Sequence, residues 1–132
     1  MLTGGCYCGA IRYEVTGEPF HSTLCHCSDC RRVAGAPAVA WFSVAASGFR
    51  VTAGAPKRFQ SSPRVEREFC GACGTALTFR HAGFAGEIDV TTCSLDAPEL
   101  VPIRDHTWAA ERVSWLRTAD GLPGFAGARN DG

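Results

Sequence analysis

Seven of the eight cysteines in this chain fall into three short clusters, and the spacings within the clusters suit metal binding. The clusters are Cys6-x-Cys8, Cys25-x-Cys27-x-x-Cys30 and Cys70-x-x-Cys73. Thiolate sulfur is a preferred ligand of zinc, and a structural zinc site closes with four ligands, whereas a catalytic site keeps one position open. The sequence therefore predicts metal centres held by cysteine, whose chemistry depends on how many ligands each receives.

The segment Cys70-Gly71-Ala72-Cys73-Gly74 is typical of one half of a zinc site. Two thiolates at this spacing can turn back onto one ion, and the glycines allow the left-handed backbone that brings amide N–H groups to sulfur. A redox-active disulfide between the same thiols is the alternative, but that motif favours a βαβ junction, and this pair lies between two predicted strands. The pair supplies only two of the four ligands that a structural site needs.

Cys6 and Cys8 are candidates for the other two ligands. Residues two apart on a regular strand share a face but lie too far apart along it to hold one ion. Gly4, Gly5 and Gly9 surround the pair and indicate a tight turn that would bring the two thiols together. Pairing them with the later CxxC segment would fasten the start of the chain to its middle, and the metal would contribute on the order of 10 kcal/mol or more to folding.

Cys25, Cys27 and Cys30 place three thiols within six residues. Three protein ligands leave a fourth position open for water or for the thiolate of a substrate, so we predict that this cluster is the catalytic centre. The alternative is a second structural site completed by Cys93 or His26. His26 lies between two candidate ligands and is predicted to point away from the metal. Cys93 ends a predicted strand and is expected to be a packed, inert thiol.

Arg31 and Arg32 directly follow the three-thiol cluster. Guanidinium groups beside an open metal site suit a thiol that carries carboxylates, so we predict that Arg31, Arg32 and His26 contact the substrate. Two adjacent arginines after a turn equally suit a solvated face. His26 and His106 are the candidates for moving a proton, with a surface position as the alternative for either.

The residues with this chemistry lie among short predicted β-strands. The two clearest alternations are Ile11, Tyr13 and Val15 against Arg12 and Glu14, and Val65, Arg67 and Phe69 against Glu66 and Glu68. This is the period of a half-buried strand. Further runs rich in β-branched and aromatic residues occupy residues 38–44, 49–52, 75–80 and 87–92. Only residues 28–33, with Ser28 as N-cap, and residues 108–116 favour a helix, so the predicted fold is mainly β.

The chain is short and electrically balanced. Its 132 residues bound it to one domain, and 13 Lys and Arg residues offset 13 Asp and Glu residues to give a net charge of zero. The balance leaves no basic face for nucleic acid or for an anionic membrane, and no apolar run reaches the roughly 20 residues of a membrane helix. We predict a single domain over residues 1–126 and a flexible tail at residues 127–132.

The beginning of the chain carries neither the basic segment nor the apolar segment that directs secretion, so we expect a cytoplasmic protein. Thiols stay reduced in that compartment, which favours metal binding over disulfides. No Ser-His-Asp order, phosphate-binding loop or dinucleotide fingerprint competes with the cysteines for a catalytic role.

Four motifs spread through the chain are typical of one family. They are Gly4-Gly5-Cys6-Tyr7-Cys8-Gly9, Cys25-His26-Cys27-Ser28-Asp29-Cys30-Arg31, Phe69-Cys70-Gly71-Ala72-Cys73-Gly74-Thr75, and Trp115 followed by Asp120-Gly121-Leu122-Pro123. In this order the chain resembles the glutathione-dependent formaldehyde-activating family, also called the S-(hydroxymethyl)glutathione synthase family, which includes the centromere protein V relatives. The resemblance runs from about residue 4 to about residue 125.

The resemblance implies an Mss4-like fold of several coiled antiparallel β-sheets stabilised by zinc. It also implies two zinc ions per chain, one structural and one more labile or catalytic. The implied ligands are Cys6, Cys8, Cys70 and Cys73 for the structural ion, and Cys25, Cys27 and Cys30 for the labile ion.

The function that follows is a zinc-dependent carbon–sulfur lyase or synthase. Its substrate would be the adduct between a small thiol, such as glutathione, and an aldehyde, such as formaldehyde. Zinc would bind the thiol as thiolate and hold it next to the carbonyl group. The alternative is a non-catalytic zinc-binding module that binds a small thiol or a protein partner.

Overall fold

A computed structural model describes residues 1–129, and within them the protein forms ten strands and one α-helix. The strands are β1 (Leu2–Gly5), β2 (Arg12–Val15), β3 (Phe20–Cys25), β4 (Val39–Ala45), β5 (Phe49–Ala53), β6 (Lys57–Ser62), β7 (Val65–Phe69), β8 (Ala76–His81), β9 (Glu87–Thr91) and β10 (Asp105–Thr107). The α-helix, α1, spans Ser28–Ala34. Short 3₁₀-helices span Ala46–Gly48, Ala82–Phe84, Thr92–Ser94, Pro98–Leu100 and Ala109–Glu111. No helix in this part of the chain is long and apolar enough to cross a membrane.

The strands form two sheets. A three-stranded antiparallel sheet has the order β1-β2-β5, and a seven-stranded sheet has the order β10-β3-β4-β9-β8-β7-β6. Neighbours in the larger sheet are antiparallel except for β10, which lies parallel to β3 with Thr107 opposite Cys25. The predicted mainly-β fold built on antiparallel sheets is therefore confirmed, with one parallel pair added to it.

The main core takes side chains from both sheets. Tyr13 and Val15 of β2 share this core with Phe42 and Val44 of β4, and all four side chains are at most 1% exposed. Burying a side chain of this size contributes about 1.5–3 kcal/mol, so the alternation along β2 decides which of its faces turns inward. A smaller, separate cluster consists of Cys25, Cys30 and Trp41.

All six strands predicted from the sequence are present, as β2, β4, β5, β7, β8 and β9. The prediction misses β1, β3, β6 and β10, because none of them has a regular apolar alternation. Every residue of β6 is exposed, and β1 ends in two glycines. Polar Ser22 and Thr23 occupy buried positions of β3. These strands form through pairing with their neighbours rather than through local preference.

The predicted helix at residues 28–33 is confirmed as α1, but its N-cap is Cys27 rather than Ser28. The Cys27 Sγ accepts a hydrogen bond from the Cys30 N–H at 3.3 Å. Gly35 ends the helix with a φ of 60°, a left-handed conformation that glycine adopts without strain. A sulfur that is a candidate metal ligand therefore also begins the helix.

The predicted helix at residues 108–116 is wrong. Ala109–Glu111 forms a single 3₁₀ turn, and Trp108 before it has a φ of 54°. The backbone N–H groups of Trp108 and Ala109 donate to the Gly127 and Phe125 carbonyl groups at 2.8 and 2.9 Å. This segment therefore pairs with the end of the chain instead of continuing as a helix.

Part of the predicted tail at residues 127–132 makes contacts with the rest of the protein. Arg129 and Asp105 of β10 form a two-point ion pair, with Nε to Oδ2 at 2.6 Å and Nη2 to Oδ1 at 2.7 Å. Residues 130–132 lie outside the described residues. The domain boundary at residue 126 stays a prediction.

The ion pair makes stability at neutral pH depend on Arg129. Burial is the largest single influence and raises the pKa of Asp105, but hydrogen bonds from Arg129 and Thr23 together with the positive charge of Arg129 outweigh it, so the pKa lies below its usual value. A carboxylate whose pKa is lower in the folded than in the unfolded protein stabilises the fold. This contribution is fully present above the pKa in the unfolded protein, about 3.9, and is lost as the pH falls through the pKa in the folded protein. We expect Arg129→Ala to lower the free energy of unfolding by about 1–2 kcal/mol at pH 7, and by progressively less below about pH 4.

Urea denaturation of the variant and the wild type across this pH range measures the effect. The exposed Arg117 provides the control, and Arg117→Ala should change the free energy of unfolding by less than about 0.5 kcal/mol. A loss in Arg129→Ala that does not depend on pH would contradict a stabilising role for the carboxylate charge.

Candidate metal centres

The first centre, which we call the four-cysteine centre, consists of Cys6, Cys8, Cys70 and Cys73. Their sulfur atoms lie within 4.8 Å of one another, and all four are free thiols, so Cys70 and Cys73 form no disulfide here. The Cys8 Sγ is 3.6 Å from the Cys6 Sγ and 3.8 Å from the Cys70 Sγ. A tetrahedral ion with metal–sulfur bonds of about 2.3 Å places its ligands about 3.8 Å apart, so this spacing suits a four-thiolate metal site.

A tight turn after β1 brings Cys8 back toward Cys6. The Gly9 N–H donates to the Cys6 carbonyl at 3.1 Å, and Gly9 has a φ of 80°, which favours glycine. The Ile11 N–H then donates to the Cys6 Sγ at 3.2 Å. The tight turn predicted from the surrounding glycines is therefore confirmed.

A second turn, between β7 and β8, presents the other two thiols. Gly74, with a φ of 84°, donates its N–H to the Cys70 carbonyl, and the N–H groups of Ala72 and Cys73 donate to the Cys70 Sγ at 3.4 Å. Hydrogen bonds from the Thr75 hydroxyl and backbone N–H lower the pKa of Cys73 to about 5. Donors aimed at sulfur favour thiolates, which are the form that binds a metal.

The second centre, which we call the three-cysteine centre, consists of Cys25, Cys27 and Cys30. Their sulfur atoms also lie within 4.8 Å of one another. Cys25 ends β3 and Cys27 caps α1, so one bend of the chain gathers all three. Within residues 1–129 no fourth His, Cys, Asp or Glu joins this group. The protein therefore offers three of the four ligands that a tetrahedral ion takes.

Two residues considered as a fourth ligand lie outside this centre. Cys93 is exposed, so the prediction of a packed thiol is wrong. In the short helix Thr92–Ser94 the buried residue is Thr92, and Cys93 faces solvent. His26 is buried but belongs to neither group of ligands. The alternative of a second structural site closed by Cys93 or His26 therefore finds no support in the geometry.

Three thiols this close together cannot all ionise without a cation. Hydrogen bonds from Cys25 and Cys30 lower the pKa of Cys27 to about 2, whereas the same neighbourhood raises the pKa of Cys30 far above its usual value and that of Cys25 to about 11. Ionisation of one thiol in this group therefore opposes ionisation of the other two. A metal ion would bind all three as thiolates and release their protons, so this donor set fits a borderline metal such as zinc.

A chain of hydrogen bonds leads from His26, between two of these cysteines, to the protein surface. The His26 Nε2 is 2.9 Å from the His106 Nδ1, and the His106 Nε2 is 2.9 Å from the Asp120 Oδ2. His26 and His106 are 1% and 6% exposed, so the alternative of a surface position is wrong for both. Asp120 is exposed and connects the chain of hydrogen bonds to solvent.

The Asp120 carboxylate determines the tautomers of both histidines. Because a carboxylate only accepts, the His106 Nε2 donates to Asp120, which leaves the His106 Nδ1 as the acceptor of the His26 Nε2–H. The His26 Nδ1 is then an unprotonated nitrogen that is buried and has no hydrogen-bond partner. Burial and the neighbouring His106 lower the pKa of His26, which favours its neutral ring.

Arg31 and Arg32 line an open cleft of about 410 Å³ beside α1. Val113 and Trp115 share this lining, whereas none of the three clustered cysteines takes part in it. Contact of Arg31, Arg32 or His26 with a substrate stays a prediction.

A second cavity, of about 380 Å³, was missed by sequence reasoning; we call it the Trp41 cavity. Trp41 lines it and also packs in the cluster that contains Cys25 and Cys30. Arg67 of β7 lines the same cavity and is only 7% exposed. The signal in the sequence was the position of Arg67 on the inward face of a strand, where a cation is costly.

Comparisons with known proteins agree with this architecture. The family model for the glutathione-dependent formaldehyde-activating enzyme matches residues 1–111. A Halomonas elongata protein, named provisionally as such an enzyme, is 32% identical over 85 residues, which cover 58% of this chain and 54% of that protein. An uncharacterized lyase of Schizosaccharomyces pombe is 32% identical over 78 residues, which cover 59% of this chain and 56% of that protein. The crystal structure of a Rhodobacter sphaeroides protein matches with a TM-score of 0.61 and 22% identity, over 93% of this chain and 99% of that one.

The fold and the two centres define a mainly-β domain with clustered thiols, and the family match covers both centres. The chain belongs to the glutathione-dependent formaldehyde-activating enzyme family. The matched segments span about half the length of the two curated relatives, and the likeness to the Rhodobacter sphaeroides structure supports the fold alone.

The two centres should contribute differently to stability. Cys70 is 2% exposed in the main core, and its centre joins the first turn to the β7–β8 turn, so Cys70→Ser is expected to lower the Tm sharply or to unfold the protein. Cys27→Ser should cost about 1 kcal/mol or less, because serine also caps helices and this centre closes no long loop. Thermal unfolding of the metal-loaded variants, followed by circular dichroism, measures both effects.

Cys93→Ser is the matched control, since it changes an exposed thiol outside both centres and should leave the Tm unaltered. If Cys70→Ser and Cys27→Ser lowered the Tm by equal amounts, both centres would be structural.

Proposed function

We propose that this protein is a zinc-dependent carbon–sulfur lyase or synthase. The reaction joins a small thiol, such as glutathione, to an aldehyde, such as formaldehyde, and cleaves the hemithioacetal that results. The observation that carries the proposal is the convergence of Cys25, Cys27 and Cys30 with no fourth protein ligand among residues 1–129. Membership of the family supports the same reaction.

The clustered cysteines would hold two zinc ions per chain. Zinc in the four-cysteine centre would be structural, because four thiolates complete its coordination. Zinc on Cys25, Cys27 and Cys30 would supply a Lewis-acid position that takes a thiol as its thiolate. Eight free thiols suit a reducing compartment, so the proposal includes a cytoplasmic location.

The histidine chain would carry the proton of this reaction. When the C–S bond forms, the thiol loses a proton and the carbonyl oxygen gains one, and cleavage reverses both transfers. The His26 Nδ1 can take a proton while the His26 Nε2 passes its own to the His106 Nδ1. The Asp120 carboxylate then stabilises the imidazolium formed on His106.

A non-catalytic zinc module that binds a small thiol or a protein partner is the second candidate. One observation favours it: the aligned segments cover only 54% and 56% of the two curated relatives. Parts of those proteins that lie outside the match could contribute to their activity. Thiol binding without turnover would select this candidate.

Zinc content tests the metal assignment. Protein purified in the presence of zinc should contain two zinc ions per chain, and a chelator should remove one of them first, because three thiolates hold an ion less tightly than four. Mass spectrometry with an inductively coupled plasma counts the ions. Cys27→Ser should contain one ion, and a wild-type protein that binds at most one would contradict the assignment of two centres.

Exchange kinetics test the reaction. Thiols and formaldehyde combine spontaneously in water, so the protein must change the rate of approach to equilibrium and leave the equilibrium itself unchanged. Catalytic amounts of zinc-loaded protein should accelerate, in both directions, the interconversion of glutathione and formaldehyde with their hemithioacetal. NMR exchange spectroscopy measures this rate, and Cys25→Ser should abolish the acceleration.

Asp120→Asn separates proton transfer from metal binding in the same experiment. An amide can donate to the His106 Nε2 and so reverse the tautomers of both histidines, which should slow the exchange by about tenfold or more while both zinc ions remain. Cys93→Ser is the control and should exchange like the wild type. If the wild-type protein binds the thiol but does not accelerate the exchange, the lyase function is wrong and the non-catalytic zinc module is supported.

A further inference from the structure

The Trp41 cavity places an uncompensated cation near the three-cysteine centre. Arg67 is 7% exposed and forms no ion pair within residues 1–129. Its Nε donates to the Ser61 Oγ at 3.2 Å, and its guanidinium carbon lies 5.0 Å from the centre of the Phe79 ring. The Nη1 is buried and has no hydrogen-bond partner. A buried guanidinium without a counter-ion is costly, so an anion in this position would be strongly favoured.

The acidic residue in the same cavity does not neutralise Arg67. Glu68 accepts a hydrogen bond from the Thr78 hydroxyl at 2.9 Å and lies 3.7 Å from the Arg58 Nε and 3.6 Å from the Arg80 Nη2. Its charge is therefore already engaged by other partners. The cation of Arg67 remains available to a ligand.

A second unpartnered donor belongs to Trp41, which lines the same cavity. The Trp41 Nε1 is buried and has no acceptor, although a buried indole N–H ordinarily finds one. Trp41 packs against Cys25 and Cys30. The cavity is also lined by Val33, which follows Cys30 by one turn of α1. The cavity is thus lined by two residues with unpartnered donors, and one of them, Trp41, packs against two of the candidate catalytic cysteines.

We infer that the Trp41 cavity binds the carboxylate of a thiol substrate whose sulfur reaches the three-cysteine centre. The Arg67 guanidinium and the Trp41 indole N–H would donate to the carboxylate, while Phe59 and Phe69 supply an apolar lining for the aliphatic part of the ligand. This inference deepens the proposed function, because it takes the ligand to be a thiol. It assigns to Arg67 the role that the sequence predicted for Arg31 and Arg32.

Affinities of zinc-loaded variants for two thiols test the inference. Arg67→Met keeps an unbranched stem against Phe79 and removes the charge, so it should weaken the binding of glutathione by about 10- to 150-fold, as expected for a charged hydrogen bond. Binding of 2-mercaptoethanol, which has no carboxylate, should change by less than about twofold. Isothermal calorimetry measures both, and zinc content confirms that the centres remain loaded.

Trp41→Phe is the second variant, because it removes only the N–H donor and keeps a ring against the cysteines. This variant should bind glutathione several-fold more weakly than the wild type and bind 2-mercaptoethanol equally well. It tests the inference even if Arg67→Met fails to fold. Arg50→Met is the matched control, since Arg50 is an exposed arginine on β5 that pairs with Glu14. It should bind both thiols like the wild type.

Three results would overturn the inference. The first is an equal loss for both thiols in Arg67→Met, which would indicate a structural effect. The second is a selective loss of affinity for glutathione in Arg31→Met or Arg32→Met, with no such loss in Arg67→Met. The third is a wild type that does not bind glutathione. A wild type that shows the expected affinities but no accelerated exchange would overturn the lyase function and leave the carboxylate site standing.

Discussion

Repulsion among clustered thiolates is the constraint on which the rest of this structure depends. The seven sulfur atoms lie in two groups, each within 4.8 Å, and neither group can ionise fully without a cation. The backbone is arranged for that charge, because amide N–H groups point at the Cys6 and Cys70 sulfur atoms. The Cys27 Sγ accepts an N–H at the start of α1 in the same way. Both turns and the helix start are therefore positioned around thiolates that a bound cation would neutralise.

The three-cysteine centre also accounts for the parallel pairing of β3 with β10. His26 lies between two clustered cysteines but outside their group, so its ring needs a separate buried partner. His106 of β10 supplies it, and the His26 backbone N–H donates to the Thr107 carbonyl at 3.0 Å. His106 is in turn bonded through its backbone to Pro123 and Phe125. The end of the chain is thus tied to the loop that carries the candidate ligands.

Short-range patterns could be predicted from the sequence, and long-range partners could not. Alternation located β2 and β7, and spacing grouped the clustered cysteines, because both signals extend over a few residues. β6 and β10 form through hydrogen bonds offered by a neighbouring strand, so their composition gives no sign of them. His26 and His106 are 80 positions apart, and only the folded chain reveals that they meet. Arg67 was visible, since it lies on the inward face of a predicted strand, but its lack of a counter-ion depends on the tertiary structure.

The two centres differ most in the length of chain that each one closes. Cys8 and Cys70 are 62 positions apart, so a metal held between them would remove a large loop from the unfolded ensemble and stabilise the fold accordingly. The three-cysteine centre lies within six residues that β3 and α1 already hold in place. A metal there would close almost no loop, and its loss or a change in its ligands would leave the fold standing. A reaction needs this property, because the ion that takes up and releases a substrate thiol must change its coordination at every turnover.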